Sequence, residues 1–355
     1  MAQLFKKAAE QLENKLPFVL YSKPGEKAVV GIFQQTDTLY LMEDFDAQGF
    51  VFAPFDGQDA LFIPESASLA MTEENAGANV PETPAMEDAK DAFDSEAKEK
   101  FEHLAGLGIE AIYSGALKKV VLSRKETVTV KDNALLLFKR LAAKYPEAFR
   151  YCFFHPKAGL WLGATPEQLL KSDGAEIRTV ALAGTQVYRE GEFVWEPKEK
   201  EEQQLVADFI AGSLKGFAAS IGVSAPYTFK AGNIVHIKTD IKAVLKDKRQ
   251  LHDVIRILHP TPAVCGLPKE EARAFINANE GYAREYYSGF LGEVNKDFAK
   301  SRIGSSDLFV NLRCMKIHEN KAALFIGCGI TKDSIPEKEF FETVNKSLTM
   351  KAILA

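Results

Sequence analysis

"PFVLYSKPGEKAVVGIF", residues 17–33, sets two short β-rich runs on either side of a Pro-Gly turn. Runs of that composition bounded by turn formers read as neighbouring antiparallel strands. The pattern continues through "TLYLM", "GFVFAPF" and "ALFIP", so residues 17–63 are expected to form an antiparallel meander. Further on, "KKVVLSRKETV", "RYCFFH", "AEIRTVALAGT", "NIVHIKTDIKAVL", "DLFVNLRCMKI" and "AALFIGCGIT" read as strands. Helices are expected near 95–115, 132–144, 198–216, 268–280 and 336–352. Strands outnumber helices and no strict βαβ alternation appears, which favours an α+β fold with large antiparallel sheets over a doubly wound parallel sheet.

The bulk composition narrows the function. A net charge of −5 leaves no basic surplus to neutralise a phosphate backbone, so nucleic acid is not the expected partner. No run approaches the roughly 20 apolar residues of a membrane span, and the N-terminal stretch lacks a signal-peptide core, so a cytoplasmic protein is expected. The four cysteines, Cys152, Cys265, Cys314 and Cys328, lie far apart without zinc-type spacing and are expected to be reduced. Residues 64–100 carry ten acids against three lysines and read as a solvated acidic connection. A single domain over 1–355 is expected: a variable meander at 1–63, this connection, and a core at 101–355.

Two helices hold unusual charges. In "KEKEEQQLVADFIAGSL", residues 198–214, Leu205, Val206, Phe209 and Ile210 form the expected buried stripe and Glu202 falls near its centre, while Glu201 falls on the solvated face. A carboxylate there needs a cation, either a metal ion or a buried Lys or Arg. In "SIPEKEFFETVNKSLTMKAIL", residues 334–354, Glu339, Glu342 and Lys346 share one face and Phe340, Val344 and Leu348 lie opposite. By pattern alone that is an exposed Glu–Lys helix pair; Ser334 and Pro336 read as cap and first-turn proline. The loop "LHPTPAVCG", residues 258–266, and the glycines of "GCGIT" and "ALAGT" permit close approach of a ligand to backbone. Among the histidines, His236 and His259 look like pocket wall, and no nucleophile–His–Asp set is evident.

Taken in order, "KVVLSR", "GATPEQLL", "ALAGT", "KEKEEQQLV", "LHPTPAVCG", "GCGIT" and "PEKEFFETVNK" resemble the motifs of the chorismate-utilising enzymes, the family of isochorismate, salicylate, anthranilate and aminodeoxychorismate synthases. The resemblance spans residues 100–355 and implies two large, mostly antiparallel sheets packed together, helices outside, and a Mg2+-dependent site between them. It implies Glu202 and Glu342 as the metal ligands. Gln203 stands where the family's helix motif has a histidine. Arg313 and Lys346 are implied as partners of the substrate carboxylates, and Gly184, Thr185, His236, Ala263, Tyr287 and Gly327 as lining.

Within that family, isochorismate formation needs water to attack ring carbon C2 while the C4 hydroxyl leaves. The resemblance implies Lys119 as general base and Glu167 as general acid, the second role requiring a carboxyl kept protonated by its surroundings. Lys119 and "LAGT" point away from the ammonia-using relatives, and no fused amidotransferase domain is expected. Ala263 is small where a salicylate synthase would carry a hydroxyl, so isochorismate synthase is the expected activity and salicylate synthase the alternative. A monomer acting on chorismate is expected, feeding menaquinone or siderophore biosynthesis. Neighbours on a strand face opposite sides, so Lys118 is expected outside when Lys119 points in.

Overall fold

The computed structural model describes residues 2–74, 93–188, 190, 193–231 and 234–354. Helix α1 (Ala2–Glu13) is followed by strands β1 (Phe18–Ser22), β2 (Ala28–Gln34), β3 (Gly49–Ala53), β4 (Leu61–Pro64) and β5 (Ser68–Glu74), then helix α2 (Ser95–Tyr113). Next come β6 (Lys119–Thr129), α3 (Ala134–Lys144), β7 (Phe149–His155), β8 (Gly159–Thr165), β9 (Gln168–Asp173), β10 (Glu176–Val187) and α4 (Pro197–Leu214). The remainder runs β11 (Ala218–Val223), β12 (Tyr227–Ala231), β13 (Ile234–Leu245), α5 (Leu251–Leu258), β14 (Gly266–Leu267) and α6 (Lys269–Asn279). It ends with β15 (Phe290–Val294), β16 (Lys296–Asp297), β17 (Arg302–Ile303), β18 (Ser305–Val310), β19 (Cys314–His318), β20 (Lys321–Ile330) and α7 (Pro336–Lys351).

The strands form two large sheets. The first has the order β14-β6-β20-β19-β8-β7-β1-β2-β5, and the second β11-β13-β10-β9-β18-β15-β3-β4 with β12 also paired to β13. The pairings within both are antiparallel, as expected from the hairpin-like spacing.

Side-chain alternation explains how the sheets pack. In β7, Phe149, Tyr151 and Phe153 enter a layer between the sheets, while Cys152 joins the cluster beneath α1 and α3. The second sheet contributes Phe50, Phe52, Leu291 and Phe309 to the same layer. Phe52 stacks on Phe153 at 4.2 Å and on Tyr286 at 4.5 Å, and Phe149 on Phe309 at 4.4 Å. Helices close the outer faces: α1 and α3 cover the first sheet, α2, α6 and α7 the end of that sheet formed by β6 and β20, and α4 and α5 the second.

Several sequence expectations are corrected. The N-terminal runs do not make one meander: β1 and β2 join the first sheet, β3 and β4 the second, and "TLYLM" contributes only a bridge from Leu41 to Leu61. An alternating pattern reports exposure of each strand face, not which sheet accepts the strand. The acidic connection is part strand, since β5 pairs with β2; residues 75–92 lie outside the described residues. "DLFVNLRCMKI" is two strands, β18 in the second sheet and β19 in the first. Among the described residues no helix is long and apolar enough to cross a membrane, and the four cysteines are buried and unpaired with one another.

The inter-sheet layer makes a stability prediction. Phe52→Ala removes a fully buried ring of the second sheet that stacks on Phe153 of the first, and should cost about 3–5 kcal/mol. Urea denaturation followed by tryptophan fluorescence measures it; a loss under about 1 kcal/mol would mean that this layer is not what holds the sheets together.

Candidate active site

Two places where the chain passes from one sheet to the other lie side by side. Between β8 and β9 the crossover is Pro166–Glu167, and between β18 and β19 it contains Arg313. Hydrogen bonds lock them: Val310 N–H donates to the Glu167 carbonyl at 2.9 Å, Ala164 N–H to the Arg313 carbonyl at 3.0 Å, and the Thr165 hydroxyl to the Val310 carbonyl at 2.6 Å. Arg313 adopts φ 47°, a left-handed conformation uncommon for a residue with a side chain.

These crossovers border a cleft of about 1270 Å³ whose walls come from both sheets, α4, α7 and the 263–264 loop. Eleven of the residues singled out in the sequence line it: Lys119, Glu167, Gly184, Glu202, His236, Ala263, Tyr287, Arg313, Gly327, Glu342 and Lys346. Thr185 lies on β10 beside Gly184, and its side chain is outside the described residues.

Lys119 is the first residue of β6 and is 3% exposed, whereas Lys118, in the bend just before the strand, is exposed. Its ammonium meets Glu202 Oε1 at 2.6 Å. The cation that Glu202 needs is thus present as a lysine. Glu202 sits at the edge of the α4 stripe, half-buried; the stripe itself is Gln203, Val206, Ala207, Ile210 and Leu214, with Leu205 and Phe209 on its flanks. Gln203 takes the central place because its amide has partners there, donating to Thr239 Oγ1 at 2.8 Å and the Ala181 carbonyl at 3.4 Å.

A second pair lies on α7. Lys346 contacts Glu342 Oε1 at 2.6 Å and donates to the Gly327 carbonyl at 3.0 Å, and Arg313 donates to the Lys346 carbonyl at 3.1 Å. The expected exposed helix pair is therefore part of the cleft wall. Leu348 lines the cleft as well instead of lying opposite, and the helix is buried through Phe340, Thr343, Val344, Ser347 and Met350. Ser334 is not the cap: Ile335 holds that position without a side-chain bond, and the Ser334 hydroxyl accepts from Thr331 N–H at 3.1 Å.

Electrostatics divide the titratable groups. Burial pushes the Glu167 carboxyl up to about 7, against the opposing pull of Lys119, Lys346 and Arg313, so it holds a proton over much of the neutral range. Burial also lowers His236, whose Nδ1 donates to the Gly184 carbonyl at 2.9 Å; the ring is a neutral wall element. His259 is no wall: its Nε2 bonds the Pro54 and Phe55 carbonyls at 3.3 and 3.2 Å, outside the cleft.

Two glycines make room. A Cβ at Gly327 would stand 2.7 Å from the Tyr287 hydroxyl and 2.8 Å from the Leu122 carbonyl, and one at Gly329 would stand 3.2 Å from Lys119 Cε and 3.4 Å from Glu202 Oε1. Gly327 and Gly329 of β20 line the cleft, and so does Thr331 just past the strand.

Glu199 and Glu339 also line the cleft, and the sequence reading gave neither a role there. Each lies three residues before an expected carboxylate, the spacing that shares a helix face; that spacing already put Glu339 beside Glu342, and applied to α4 it finds Glu199. Glu199 accepts from Glu196 N–H at 2.9 Å and from the Gln186 amide at 2.9 Å. Among the described residues no three His, Cys, Asp or Glu side chains converge as a ready metal centre.

Comparison with known proteins agrees with this geometry. Residues 62–355 match the family model described as chorismate binding enzyme. Anthranilate synthase component 1 of Thermococcus kodakarensis is 30% identical over 268 residues, 72% of this chain and 59% of that protein, so the chain spans about three fifths of this relative's length. Isochorismate synthase EntC of Escherichia coli (strain K12) is 28% identical over 322 residues, 84% of this chain and 78% of the relative. A solved structure assigned as the 2,3-dihydroxybenzoate-specific isochorismate synthase DhbC of Bacillus anthracis superposes with a TM-score of 0.78 at 25% identity, covering 98% of this chain and 99% of that one. With the family model matched over most of its length and the expected residues gathered in one cleft between two antiparallel sheets, the chain belongs to the chorismate binding enzyme family.

Proposed function

We propose that this protein converts chorismate to isochorismate. The observation that carries the reading is Glu167, a cleft carboxyl raised to about 7, in the same cleft as the enclosed Lys119, a matched acid and base that a binding module would not need. The similarity to EntC and DhbC supports it.

The chemistry balances as one water in and one water out. Lys119 Nζ takes a proton from water as its oxygen bonds to C2, a step that requires prior release of the ammonium proton facing Glu202. The two ring double bonds each move one position toward C4, the C4–O bond breaks, and Glu167 gives its proton to the departing hydroxyl. Arg313 and Lys346 supply cations for the two carboxylates of the substrate. Ala263 adds only a methyl to the wall, and Tyr287 packs its hydroxyl against Gly327.

The donor set fits Mg2+. Glu199, Glu202, Glu339 and Glu342 offer oxygen only, and a hard cation of this size is commonly held by one or two carboxylates with water and substrate completing its shell, so a tight three-ligand cage is not required. Glu202 and Glu342 would hold the ion. When bound, it would supply concentrated positive charge for the ring carboxylate.

Incubation with chorismate and Mg2+, with products resolved by chromatography, should yield isochorismate, and chelation should stop turnover until Mg2+ is restored. Salicylate with pyruvate would replace this reading with a synthase–lyase, and anthranilate formed with ammonia would place the chain with its amine-transferring relatives. Lys119→Ala should abolish turnover while chorismate still binds by calorimetry; wild-type-like activity in that variant would remove the lysine from the mechanism.

The pH profile follows from Glu167. Its raised carboxyl is protonated below about 7 and ionised above, and a general acid works only with its proton on. The free-enzyme kcat/KM should therefore fall as pH rises through about 7, and Glu167→Gln should lose about 10²–10⁴-fold in kcat. A profile that keeps rising to pH 9 would assign the acid to another group.

A further inference from the structure

Strand β6 carries Lys119, yet its outer edge is only briefly paired. Strand β14 covers two residues, Gly266 opposite Val120 and Leu267 opposite Lys119, and Val121 N–H reaches the Cys265 carbonyl at 2.8 Å. Beyond that point the same edge presents the Val121 carbonyl and the Ser123 N–H, buried groups that need partners. An ion pair from the segment after α6 meets both. Arg284 donates to the Val121 carbonyl at 2.7 Å, and Glu280 Oε1 accepts from Ser123 N–H at 2.7 Å and from the Ser123 hydroxyl at 2.9 Å.

The pair reaches further into the cleft wall. Arg284 Nε donates to Glu280 Oε2 at 2.8 Å, and another guanidinium nitrogen donates to the Val264 carbonyl at 2.9 Å. Its Cζ lies 4.6 Å from the centroid of the Phe55 ring and 5.7 Å from that of the Tyr287 ring. Tyr282 adds a hydroxyl contact to Ser123 at 2.7 Å. The side chains of Arg284 and Glu280 are 2% and 1% exposed. A fully buried ion pair is a weak source of stability, because desolvation offsets much of its attraction. What it does supply is direction: a rigid planar fork with each hydrogen bond fixed.

We propose that the Arg284–Glu280 pair is a positioning device for the reaction, acting as a side-chain substitute for the missing strand and holding β6, and with it Lys119, against the Ala263–Val264 wall and Tyr287. Neither residue lines the cleft, so both act through the groups they hold. The role in catalysis rests on the reading of Lys119 as the base.

Arg284→Lys tests it. A lysine keeps a cation for Glu280 but has no planar fork to serve Glu280, Val121 and Val264 together. In the full-length protein with Mg2+, kcat should fall at least about tenfold while KM stays within about threefold, since small misplacement of a reacting group costs rate more than binding. Amide exchange measured by mass spectrometry should quicken over residues 119–123 without a general rise elsewhere. A kcat near wild type, or a loss of activity that only follows the fraction unfolded, overturns the proposal. Should Arg284→Lys not fold, Ser123→Ala leaves the ion pair intact but removes one of the two anchors of Glu280 on β6; kcat lowered at unchanged KM supports positioning, and unchanged kcat overturns it. A wild-type protein that makes no isochorismate overturns the functional reading instead of the clamp, whose hold on β6 the exchange data report by themselves.

Discussion

An ammonium group enclosed at the end of a strand must have an anion, and the pair of Lys119 with Glu202 at 2.6 Å meets that need from the other side of the molecule. Lys119 belongs to the first sheet, while Glu202 stands on α4, which packs on β10 and β13 of the second. The two layers are joined where the chemistry is expected, by charges whose attraction is strengthened as water is excluded. The aromatic layer sets how closely the sheets approach, and the pair at its end sets which faces of β6 and α4 look at each other.

The remaining machinery comes from the way the chain changes sheets. An antiparallel strand that leaves one layer for another needs an irregular residue or two, and such residues keep neither side chain nor backbone in the regular ladder. Glu167 and Arg313 occupy two of these crossovers, and the hydrogen bonds between the crossovers hold both aimed at one cleft. Burial at a crossover is also what raises Glu167, because its carboxyl is taken from water while three cations lower it only in part. A carboxyl raised toward neutrality is thus a product of topology.

The chain as a whole is acidic, and its cleft sets four cations, Lys119, Lys144, Arg313 and Lys346, among seven glutamates. Local charge, not net charge, decides which ligands a site accepts. The carboxylates facing those cations keep the cleft from being a simple anion trap.

Much was legible in the sequence because it depended on local pattern. Helical spacing put Glu339, Glu342 and Lys346 on one face, and the ordered motifs named the residues that the cleft gathers. Local pattern could not say which sheet a strand joins, so the N-terminal runs read as one meander and "DLFVNLRCMKI" as one strand; sheet membership is set by long-range packing of the aromatic layer. The same limit hid the Arg284–Glu280 pair, whose meaning depends on a strand edge more than 150 residues away in sequence. It also misplaced His259, whose Pro-rich loop resembles a pocket wall until the Pro54 and Phe55 carbonyls take its ring. Residue types, faces and motif order were determined by the sequence alone. The tertiary structure decided which of those faces meet, because burial, pairing and the pKa of Glu167 exist only once distant segments exclude water together.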